Sequence, residues 1–137
     1  MIEIVNKKNF YSMLLKDRFT LAKIDFPTEC GKGRVNFYRT PLGTAVRVNL
    51  EGDDKMLELK MYDKNRSGFV IQNVFCGENL IEISKGVFVG VSSKLHIEDA
   101  IGREFLIKLN NMSIIARAET TLILRRNVDK TPSLVYN

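Results

Sequence analysis

From Ser113 to Arg125 thirteen residues alternate without a break. Ile114, Ala116, Ala118, Thr120, Leu122 and Leu124 fall on one side; Ser113, Ile115, Arg117, Glu119, Thr121, Ile123 and Arg125 fall on the other. A period of two sends successive side chains to opposite faces of an extended strand. A helix would scatter Arg117, Glu119, Arg125 and Arg126 around its circumference. The segment is rich in Ile and Thr, whose branched Cβ suits a pleated surface. Upstream, Phe105, Ile107 and Leu109 alternate with Leu106 and Lys108, and Asn110-Asn111 supplies residues that tolerate the positive φ of a tight hairpin turn. Residues 104–126 are therefore expected to form a β-hairpin. Its second strand exceeds the usual strand length, so it should bend between two packed layers or run the length of a barrel wall.

Further runs of the same kind recur at intervals: 19–26, stopped by Pro27, then 34–39, 44–50, 55–62, 69–75, 79–83 and 87–91. Turn signals separate them, which predicts an all-β fold, mainly antiparallel, as a barrel or sandwich. Short connections make a meander-like order the default. Asn6 is a good N-cap, and Phe10, Met13, Leu14 and Asp17 follow helical spacing. One N-terminal helix is expected over 7–17, docked on the sheet by Phe10 and Leu14. Residues 2–5 read as a short strand or as the lead-in to that helix. Stretch 92–103 fits either a continued strand or a second, short helix at 94–101, and the helix is preferred because Gly102 would stop it.

The chain has 137 residues, 45% of them apolar and 27% charged. That is the length and composition of one globular domain, 1–137, with 127–137 as an extended C-terminal tail. No apolar run is long enough to cross a bilayer, so no membrane is expected as partner. The first ten residues lack the pattern of a secretion signal, which places the protein in the cytoplasm, its own cell's or a host's. In that reducing setting Cys30 and Cys76 are expected as free thiols.

A net charge of +5 favours acidic partners such as nucleic acid. If Val35, Phe37, Val46, Val48, Leu57, Leu59 and Met61 face the core, then Arg34, Asn36, Tyr38, Arg47, Asn49, Lys60 and Tyr62 share the wet face of three neighbouring strands. Cations for phosphate and rings for base stacking suit RNA or single-stranded DNA. Lys32, in the basic Gly-bearing loop 30–34, extends the set. The bland alternative is a solvated sheet face, and the same residue types also make a protein-binding patch. A second function is therefore self-association or partner binding through the long 112–126 strand or the tail.

An enzyme is not expected. His96 is the sole histidine, and nothing around it, Cys30 or Cys76 resembles a cysteine-enzyme signature. Nor do these residues have a recognised zinc spacing, so no metal and no cofactor is anticipated. Within Asp63–Gly68, Asn65 and Ser67 resemble two positions of the Asp/Asn-x-Ser-x-x-Gly loop of PilZ domains, which bind a cyclic dinucleotide. Val70 stands where that loop has Gly, and no Arg-x-x-x-Arg precedes it, so the resemblance ends at the turn.

Overall fold

In a computed structural model, which describes residues 6–66, 68–76, 79–110 and 112–121, the alternating runs form two antiparallel sheets. The strands are β1 (Ala22–Thr28), β2 (Gly31–Thr40), β3 (Gly43–Leu50), β4 (Met56–Arg66), β5 (Gly68–Cys76), β6 (Leu80–Ser84), β7 (Val87–Ser92), β8 (Glu104–Leu109), β9 (Ser113–Arg117) and β10 (Glu119–Thr120). The first sheet has the order β10-β1-β2-β3-β7-β6 and the second β5-β4-β8-β9. The all-β expectation stands, in its sandwich form; the sheets do not close into a barrel.

Period two explains the core. Ile24 and Phe26 of β1, Val35 and Phe37 of β2, and Val46, Val48 and Leu50 of β3 are buried against Leu59 and Met61 of β4 and Phe105, Ile107 and Leu109 of β8. The rings of Phe37 and Phe105 meet across the layers, centroids 5.3 Å apart. Gly33 lies opposite Phe26 in the β1–β2 ladder, and a side chain there would run into that ring, with the nearest ring carbons 2.4 Å from the position a Cβ would take. The glycine thus lets an aromatic fold over its neighbour.

The meander holds only in pieces. After β3 the chain does not turn back along the first sheet. Residues 51–55 carry it to the second, the backbone N–H of Lys55 donating to Asn110 Oδ1 at 2.9 Å. It crosses back for β6 and β7, and again for β8 and β9. The long alternating segment does bend between layers: β9 pairs with β8 in one sheet, Ala118 is fully buried at the crossing, and β10 pairs with β1 in the other. Residues 1–5 and 122–137 lie outside the described residues, and with them the expectations for 2–5, Leu122, Leu124, Arg125 and the tail.

Three local expectations need correction. Pro27 does not stop β1 but lies within it, opposite Lys32. Among the described residues β10 pairs with β1 only at Ala22 and Lys23, so Pro27 sits where no second described strand flanks β1 and a missing N–H is tolerated. The connection expected between the runs 19–26 and 34–39 shrinks to a two-residue turn at Glu29 and Cys30, and 31–33 belong to β2. The second helix, α2, is only Ile97–Ala100.

The first helix, α1 (Lys7–Leu15), begins where Asn6 was expected to cap it, with Asn6 Oδ1 accepting from the Asn9 N–H at 2.9 Å. It lies on the outer side of the first sheet. Leu15, not Leu14, is its buried anchor, packed with Tyr11 over Tyr38, Ala45 and Val89 in a second small core. Phe10, expected to dock, is instead 42% exposed. Apolar residues on two sides of the helix allowed either stripe to be chosen from sequence.

Candidate binding face on the first sheet

Cross-strand register decides which of the predicted site residues meet. In the first sheet Asp25 stands opposite Arg34, Arg34 opposite Asn49, Lys23 opposite Asn36, and Asn36 opposite Arg47. Residues directly opposite on one face lie about 5 Å apart. Lys32 follows on the same face of β2, and its carbonyl accepts from the Glu51 N–H at 3.1 Å. Lys32, Arg34, Asn36, Arg47 and Asn49 therefore form one patch, all exposed but the half-buried Asn36. Beside it Asp25, Lys32, Arg34, Asn49 and Glu51 border a shallow depression of about 290 Å³.

The other three predicted residues do not join them. Tyr38 shares the face but is only 6% exposed, roofed by α1, so its ring offers no stacking surface. Lys60 and Tyr62 lie on β4, which pairs with β5 and β8 in the second sheet. The expectation of one wet face over three strands fails there, because β3 has β7 beside it and not β4. Lys60 Nζ pairs with Glu58 Oε1 at 3.2 Å on that other side of the sandwich.

The patch also holds residues that sequence reasoning missed. Arg34 forks onto Asp25, Nε donating to Oδ1 at 2.5 Å and Nη2 to Oδ2 at 3.3 Å. Lys23 Nζ approaches the same carboxylate at 3.3 Å. The Arg34 hydrogen bond, seconded by Lys23, holds the Asp25 carboxyl below the usual range, and Asp25 in turn raises Arg34. Glu51 Oε1 accepts from the Lys32 backbone N–H at 2.8 Å. Counting Glu119 beside Lys23, the described residues of β1, β2 and β3 and their cross-strand neighbours on this face include four cations, Lys23, Lys32, Arg34 and Arg47, and three carboxylates, Asp25, Glu51 and Glu119. Among the described residues the side chains of Lys32 and Arg47 have no ion-pair partner. Asp25 alternates with Ile24 and Phe26, but its register against Arg34 depends on the β1–β2 pairing continuing to Thr28 and Gly31, which Pro27 and the glycines at 31 and 33 conceal in the sequence.

Cys30 and His96 cannot work as a pair. Cys30 is a free, exposed thiol packed beside Gly52 at the start of β2. His96 borders a cleft with Arg39, Thr40 and Leu42 at its end. A ten-residue strand separates them, roughly 30 Å of extended chain. Among the described residues no three His, Cys, Asp or Glu side chains come together as metal ligands, and no helix is long and apolar enough to cross a membrane. No family model matches the chain, nor does any curated protein or solved structure.

Proposed function

We propose that this chain is a non-enzymatic binding module whose β1–β2–β3 outer face takes RNA or single-stranded DNA by its phosphates. The observation that carries the reading is the cross-strand convergence of Lys32, Arg34, Asn36, Arg47 and Asn49 on one accessible face. Guanidinium, ammonium and carboxamide groups donate to phosphate and sugar oxygens. With Tyr38 under α1, none of the five converging residues offers a ring for base stacking, so recognition follows the backbone and is indifferent to sequence. The three carboxylates keep it weak, in the range of about 10⁻⁴ to 10⁻⁶ M common for non-specific sites.

The test is fluorescence anisotropy with labelled single-stranded oligonucleotides over a salt series. About three phosphate contacts give a log–log salt slope near −2, roughly a fifteenfold loss between about 50 and 200 mM. Arg47→Glu should flatten that slope by about 0.7 or more. Absence of binding at low salt, or binding that ignores salt, contradicts the reading.

A second reading, partner binding by strand addition, has its own support. β9 is the outermost strand of its sheet, and Ile115 on it is 56% exposed. An uncovered edge strand is a template for another chain. A monomeric mass at high concentration, with no captured partner, counts against it.

A further inference from the structure

We infer that α1 is a displaceable roof, and that Tyr38 beneath it stacks on a base when single-stranded nucleic acid lifts the helix; this deepens, and rests on, the nucleic-acid reading of the first sheet's outer face. Cross-strand register puts Tyr38 on that face. It follows Arg34 and Asn36 by alternation along β2 and stands opposite Ala45, which is two residues from Arg47 on the same side of β3. Tyr38 and Arg47 are thus diagonal neighbours, about 7–8 Å apart. The floor under the helix continues the same rows, with Val89 opposite Arg47 and Val91 opposite Ala45. A covered ring therefore adjoins the exposed cations with no strand between them. A ring for the base and a cation for the phosphate is the combination that holds single strands.

The roof is lightly held. Among the described residues of α1, Leu15 alone is buried. Tyr11 is partly buried, and Phe10 and Met13 are exposed. The cluster of Leu15, Tyr38, Ala45 and Val89 is separate from the main core, so the helix can leave without opening the sandwich. Its C-terminal end is tied by the exposed Arg18, whose Nε donates to the Leu14 carbonyl at 2.6 Å and Nη1 to the Arg39 carbonyl at 3.1 Å. Past the turn at Asp17, φ 64°, the Leu21 N–H donates to the Phe37 carbonyl at 2.9 Å, so the ladder of the first sheet begins beyond the helix. Nine residues are fewer than the roughly 12–15 that a helix needs to persist alone in water. Off the sheet α1 therefore loses its helix too, and the opening is one cooperative local event. The affinity of the whole population is then the open-form affinity scaled by the fraction that is open.

Amide hydrogen exchange on the full chain, with and without a saturating short single-stranded oligonucleotide at low salt, tests this. Amides of residues 11–15 should exchange at least about fivefold faster with the oligonucleotide bound, while those of β1, β2 and β3 hold or slow. Binding that leaves the α1 amides as protected as before keeps the phosphate face and overturns the roof; no binding overturns both. Variants give a second readout. Leu15→Gln loosens the anchor and should bind about three- to tenfold more tightly than the native chain. Adding Tyr38→Leu should erase that gain, and adding Tyr38→Phe, which keeps the ring, should retain it. A gain that survives Tyr38→Leu, or no gain in a Leu15→Gln chain whose amide spectrum shows the first sheet intact, overturns the proposal.

Discussion

Asp25 controls how much positive charge the proposed face can offer. Its carboxylate holds both Arg34 and Lys23, so two of the four cations are turned inward on a neighbour. Replacing it by Asn removes the anion and releases both. Asp25→Asn is therefore expected to strengthen oligonucleotide binding, by about three- to tenfold at low salt, and to steepen the salt slope; weaker binding would show that the ion pair is needed to shape the site. The same pair sets a pH dependence. The folded-state value of Asp25 is lowered, so its contribution to stability is present above the unfolded value near 3.9 and disappears as pH falls through the lowered one. Glu82, lowered by Lys55 and the Gly86 N–H, follows the same sign. Both are exposed enough for solvent to mute the effect. A carboxyl-carbon NMR titration should place the Asp25 midpoint below 3.9, and Arg34→Ala should move it upward.

Elements were legible where one local rule acts alone. Alternation located every described strand but the ends of several, and Asn6 marked the start of α1, because period and capping are properties of a few adjacent residues. Asn6→Ala should cost about 1 kcal/mol. What alternation cannot encode is which strand a strand lies beside. Glu51-Gly-Asp-Asp54 has the composition of a hairpin turn, yet it forms a corner between sheets with Asp54 buried in it. Ala118 continues the alternation and is also the crossing point; a small side chain passes between layers, and nothing at that position signals the change of sheet. Leu15 illustrates a third limit. With Phe10, Tyr11, Met13, Leu14 and Leu15 all in α1, two stripes compete, and the sheet beneath selects Tyr11 and Leu15. Leu15→Ala is expected to lower stability by about 2 kcal/mol in denaturant unfolding, the low end for a truncated core leucine because the site is at the rim. A loss under about 0.5 kcal/mol would mean that the helix is not anchored there.

For the whole molecule the sandwich is what divides the site foreseen from sequence. Two layers about 10 Å apart send the outer face of β4 away from the outer face of β2 and β3, so Lys60 and Tyr62 part from Arg34 and Arg47 although their alternation is the same. Lys60→Glu should leave oligonucleotide affinity and salt slope unchanged, apart from a small long-range charge effect, while Arg47→Glu lowers both. The shared interior holds the two layers in place. Phe105, fully buried against Phe37, should cost about 3–5 kcal/mol when replaced by Ala, and that loss should weaken binding only through the unfolded fraction. The most direct measurement is an amide NMR titration of the intact chain with a short single-stranded oligonucleotide at low salt. Chemical-shift changes should cluster at residues 23–25, 32–36 and 47–49 and fade as salt is added. Changes centred on β4 and β8, or none at a saturating concentration, would contradict the assignment of the polyanion site to this face.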